Sequence, residues 1–165
     1  MGNATLIRRH GSWVIISSFI VALCLTLLPL PSWATPYRPE WVALVLIYWC
    51  IALPYRVGIG TAWFLGLLLD TVRGTVLGLH GLGLVMVAFL AIRGYTYLRV
   101  YPLWQQALGI GLLMLLYQTL LAWIRGIMGD PTIDGRFWLS SLTTALLWPW
   151  IFVMLRDLRR RFHVT

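Results

Sequence analysis

The feature that most constrains this chain is its succession of long apolar runs separated by short polar breaks. They cover residues 12–30, 41–54, 57–72, 79–95, 103–124 and 137–155. Runs of about 17–25 such residues match the hydrocarbon thickness of a bilayer. Those at 41–54 and 57–72 are short, and the latter carries Asp70 near its end. Only 11% of the 165 residues are charged and 60% are hydrophobic, with a mean hydropathy of +0.82. A soluble domain carries about 25% charged residues, and a small globule built from this chain could not cover its own surface with polar groups. The reading is an all-α integral membrane protein, one membrane domain over residues 1–165, with six transmembrane helices, several of them short and Gly-rich. Residues 74–83, with four glycines, are open to three readings: a loop, a broken helix or a re-entrant turn.

All 13 basic residues are Arg, opposed by five acids. Apart from Arg156, Arg159, Arg160 and Arg161 they are scattered between apolar runs, which argues for an orientation code and against contact with nucleic acid. With the N-terminus in the cytoplasm, six crossings place nine Arg inside (8, 9, 56, 93, 99, 156, 159, 160, 161) and four outside (38, 73, 125, 136). Merging residues 57–95 into one helix of about 58 Å would nearly double the bilayer core and send the basic tail outside. Both termini are therefore expected in the cytoplasm. Arg8-Arg9, the first apolar run and Ser32-Trp33-Ala34 have some look of a cleaved signal, but the run is longer than the usual 7–15 residues. An uncleaved first span is expected. The basic tail directly follows the last run, where it suits contact with anionic lipid or cytoplasmic partners.

The catalytic inventory is thin. His10 and His163 lie in the tails, leaving His80 as a hydrogen-bonding residue at a span edge, and no HExxH or Cys/His cluster offers a metal site. The serines have no nucleophile-elbow setting, and Gly58-x-Gly60 lacks the lysine of a phosphate loop. Cys24 and Cys50 sit in apolar runs and read as buried, inert thiols. No enzyme and no cofactor is expected.

Asp70 and Arg73 stand three residues apart, as neighbours on one helix face. Asp70 either belongs to a polar patch between helices, where it would meet a partner or substrate, or reaches water at the outer membrane surface. Ala62-x-x-x-Gly66 and Gly74-x-x-x-Gly78 are spaced for close helix approach and mark a candidate partner interface with Asp70 and Arg73. Most tryptophans cap apolar runs as interfacial anchors. Trp148-Pro149-Trp150 lies within a run, where the proline kinks a helix, and is a candidate structural motif.

Taken in order, Arg38-Pro39-x-Trp41, Tyr48-Trp49, Leu53-Pro54-x-Arg56-Val57, Gly60-Thr61, Leu69-Asp70, Trp104-Gln105-Gln106-Ala107 and Leu147-Trp148-Pro149-Trp150-Ile151-Phe152 resemble the MreD family of Gram-negative rod shape-determining proteins. The resemblance implies a six-helix fold like that of the substrate-binding subunits of energy-coupling-factor transporters. It also implies a non-enzymatic inner-membrane role in cell elongation. Partners implied are an MreC-like periplasmic scaffold and, directly or through it, RodA, its penicillin-binding transpeptidase and the MreB filament. A homodimer is left open. The alternative is a vitamin-binding transporter subunit, for which Asp70, His80, Asp130 and Asp134 are the candidate ligands; the family supplies no catalytic residues.

Overall fold

The computed structural model describes residues 11–129 and 135–164, and these form six α-helices with no strand among them. Arg8, Arg9, His10, Asp130 and Asp134 lie outside the described residues. The helices are α1 (Ser12–Leu27), α2 (Trp41–Ala52), α3 (Ile59–Arg73), α4 (Leu79–Val100), α5 (Leu103–Ile127) and α6 (Leu139–Arg161). Short 3-10 turns at Thr35–Tyr37 and Gly135–Trp138 precede α2 and α6.

Sequence chemistry sets most boundaries. Pro29 and Pro31 follow the end of α1, and Pro102 sits at the start of α5, where a missing N–H costs nothing. Gly74 closes α3 with φ 64° and Gly78 opens α4 with φ 95°, a left-handed backbone that glycine adopts without strain. The doubtful stretch around residues 74–83 is thus a tight turn followed by the first turn of α4. Gly74 and Gly78 are turn residues, not a small-residue stripe on a helix. Arg93 and Arg99, expected in a loop, lie within α4, which runs on to Val100.

Every residue of α2 after Trp41 is buried, as a helix apolar on all sides should be. It packs against α1, α4 and α6, while α3 folds back on α4 and α5 lies between α4 and α6. Three helices are long and apolar enough to cross a membrane: α4, α5 and the stretch Gly135–Arg161 that contains α6. Helix α1 has 16 residues, and α2 and α3, with 12 and 15, are only about 18 and 22 Å long. Such short helices reach the length of their neighbours only together with their loops.

The ends of these helices expose carbonyls that lipid cannot satisfy. Arginines do so instead. Arg38 donates to the carbonyl oxygens of Thr26 (2.8 Å) and Leu28 at the end of α1. Arg99 reaches from α4 to the carbonyls of Ile51 (3.2 Å) and Ala52 (2.9 Å) at the end of α2.

Candidate functional site

The densest polar chemistry in the bundle lies where α3 turns into α4. Asp70 is fully buried, on the last turn of α3. Its Oδ1 accepts from the Thr75 hydroxyl (2.8 Å), the His80 backbone N–H (3.0 Å) and His80 Nδ1 (2.6 Å). Its Oδ2 accepts the Gly78 N–H at 2.8 Å. The carboxylate therefore caps the N-terminus of α4 from the helix before it, where exposed N–H groups and the helix dipole favour negative charge. Asp70 does not reach water at a helix end: the second of the two sequence-based placements is overturned by its burial.

Arg73, the neighbour of Asp70 on the helix face, bonds elsewhere. Its guanidinium forks onto Glu40, with Nη2 3.1 Å from Oε2, and Nη1 lies 3.1 Å from His80 Nε2. Because guanidinium can only donate, His80 Nε2 accepts, Nδ1 carries the hydrogen, and the imidazole is neutral. The chain runs Glu40, Arg73, His80, Asp70 and joins α2, α3 and α4. Both ring nitrogens of His80 are engaged, so neither is free to act as a base. Tyr117 of α5 is fully buried beside this cluster, and its hydroxyl finds no partner among the described residues. Among those residues no three His, Cys, Asp or Glu side chains converge in a way that could hold a metal ion.

The small residues of α3 serve the chain's own packing. Ala62 is fully buried, and a Cβ on Gly66 would sit 2.2 Å from the Gly81 Cα of α4. Gly81 in turn leaves room for the Trp63 ring, 3.2 Å from where its Cβ would be. The pattern did mark close helix approach, and the approach of Gly66 is to Gly81 in α4 of the same chain.

Two stretches that carried the family resemblance meet in space. Trp148 of α6 is fully buried and its indole N–H donates to Gln106 Oε1 of α5 at 3.2 Å. Gln106 Nε2 goes on to the Tyr101 carbonyl at 3.0 Å. Pro149 lies inside the helix, and Trp150 points the other way, 77% exposed. Trp49 likewise donates to the Ser18 hydroxyl of α1 at 2.9 Å. Nothing in the sequence spacing revealed these pairings, which join residues 31 and 42 positions apart. Cys50 is buried as expected, whereas Cys24 is on the exposed side of α1. Arg156, Arg160 and Arg161 are exposed and Arg159 is half-buried at the end of α6.

Comparison with known proteins places the chain in one family. The family model described as rod shape-determining protein MreD matches residues 7–158. The rod shape-determining protein MreD of Haemophilus influenzae is 33% identical over 149 residues, covering 90% of this chain and 92% of that protein. No solved structure matches.

Proposed function

The chain belongs to the MreD family of rod shape-determining proteins, and on that premise we propose that it is a non-enzymatic, multi-pass inner-membrane component of the cell-elongation complex. In this reading it crosses the membrane six times, with both termini in the cytoplasm. It binds the single transmembrane helix of an MreC-like scaffold. Through that scaffold it influences RodA, its transpeptidase partner and the MreB filament. The observation that carries the reading is the inward turn of the chain's polar chemistry. Asp70 and His80, and Gln106 and Trp148, are spent on one another, and short of the basic end of α6 the apolar runs offer mainly apolar side chains outward.

In lipid, helices associate through packing and a few polar contacts rather than through the hydrophobic effect. Phe64, Leu68 and Val72, four residues apart, form an exposed stripe on α3, and α4, which packs against α3, also exposes Leu82 and Phe89. We place the scaffold helix on this stripe, on the outer side of the α3–α4 pair. Phe64→Ala with Leu68→Ala should reduce copurification with the scaffold severalfold while expression and thermal unfolding stay near wild type. Cells relying on the variant should lose rod shape and round up. Intact rods together with loss of a small molecule's uptake would instead establish the transporter reading.

A further inference from the structure

Between α5 and α6 runs an open groove of about 580 Å³. Ala107, Gly111 and Ala145 make its floor, and Leu108, Leu112 and Leu146 its walls. Beyond the groove lies a second concavity of about 490 Å³, lined by Arg156, Arg159, Arg160, His163 and Val164 and by no carboxylate. On α6 the groove-lining positions 142, 145 and 149 are followed, past Val153 which lines neither cavity, by 156 and 160 of the concavity. Steps of three and four residues keep them on one helix face. Pro149 and Arg156 are separated by only about 10 Å along the axis.

The level of the basic concavity follows from the pairing of the helices. A Cβ on Gly111 would lie 3.2 Å from that of Ala145, so in this antiparallel pair Leu103, where α5 starts, falls opposite residue 153. The arginines thus stand just past the end of the apolar groove, with exposed Trp104 at its mouth. Their support is built. Arg159 Nε donates to the Val164 carbonyl at 3.3 Å, and Val164 is buried against Gly11 at the start of α1. The carboxylates bonded to basic side chains among the described residues, Glu40 with Arg73 and Asp70 with the neutral His80, lie elsewhere; at this end of α6 four arginines stand beside one exposed acid, Asp157, so the cluster keeps a net positive charge.

We propose that groove and concavity are one site for an anionic phospholipid, with an acyl chain along α5–α6 and the phosphate among Arg156, Arg159, Arg160 and His163. Apolar trough and cationic head in line on one face match the two ends of that molecule. Charge-assisted bonds from guanidinium to phosphate supply the specificity. The site requires that α6 crosses the membrane and does not depend on which protein partners the chain has.

The full-length protein in a neutral detergent is titrated with phosphatidylglycerol, with phosphatidylcholine of the same chains, and with glycerol phosphate. Bound lipid is read by native mass spectrometry and stabilisation by thermal unfolding. Phosphatidylglycerol should bind about tenfold or more tightly than phosphatidylcholine, and glycerol phosphate should bind negligibly. Arg156→Gln with Arg160→Gln should abolish the preference, while Arg156→Lys with Arg160→Lys should keep most of it. Leu108→Trp, crowding the exposed wall, should weaken both lipids. All the substituted positions are exposed, so the variants fold without lipid, which their unfolding in detergent alone verifies. Equal retention of the two lipids, or a preference that survives the Gln pair, overturns the proposal. So does glycerol phosphate binding as tightly as lipid, or Leu146→Cys cross-linking to a second copy or a partner helix that excludes lipid.

Discussion

At the scale of single residues, Asp70 shows what a buried charge does in this bundle. Its carboxylate takes four hydrogen bonds across one tight turn, so it holds the entry to α4 rather than waiting for a ligand. Asp70→Leu would leave the Gly78 and His80 N–H groups and the imidazole without an acceptor, a loss of about 3–5 kcal/mol for a broken buried network. Asp70→Asn keeps one acceptor oxygen but turns an N–H₂ toward donors, and should fall between. Thermal unfolding in detergent should rank them wild type, Asn, Leu; a silent Leu variant would remove Asp70 from the fold's support. The sequence made Asp70 conspicuous and left its bonding partners open. Local spacing set Arg73 beside it on one helix face, whereas the bond to His80 spans ten residues and exists only because Gly74 and Gly78 take left-handed backbone. Spacing rules describe one helix, and this contact belongs to a turn between two.

At the scale of elements, α2 is the most completely buried helix, enclosed by α1, α4 and α6. Its apolar character and shortness were legible in residues 41–54, since a run without a polar face must be buried. What seals its end was not. Arg99 read as an orientation charge in a loop, yet it forks onto the Ile51 and Ala52 carbonyls from within α4. The two roles separate in Arg99→Lys, which keeps the charge but replaces a planar fork with a point donor. Topology should be unchanged and stability lower by about 1–2 kcal/mol; Arg99→Ala should lose about 1–3 kcal/mol, the cost of unsatisfied buried carbonyls. Fluorescence-detected unfolding with a reporter fusion on each variant checks both halves. If Lys unfolds with wild type, the fork contributes nothing and charge alone accounts for the residue. The fourth apolar run, 79–95, stops short of the helix end at Val100 for the same reason: hydropathy does not show that an arginine inside a helix can serve a neighbour's backbone.

At the scale of the whole molecule, the two ends of the described chain meet. Val164 is buried, and a Cβ on Gly11 would lie 2.7 Å from its side chain, so α1 begins on the side of the bundle where α6 finishes. A chain whose ends share one side crosses its membrane an even number of times. Three helices have the length and apolarity to cross by themselves, and α1 falls just short, so the count rests on α2 and α3. They run about 18 and 22 Å, but α2 is enclosed by protein, and a helix surrounded by its neighbours need not match the bilayer thickness on its own. With α2 and α3 as a short crossing pair the number is six, and the turn at residues 54–58 lies on the same side as both ends. With the pair folded into one face of the membrane the number is four, and residues 35 and 56 share a side. Reporter fusions after residues 35, 56, 101 and 165 distinguish these arrangements. The six-span reading expects cytoplasmic signals at 56, 101 and 165 and a periplasmic one at 35. Matching signals at 35 and 56 would reduce the count to four, and reporters placed before α1 and after residue 165 that read opposite sides would break the even count that the contact between Gly11 and Val164 requires.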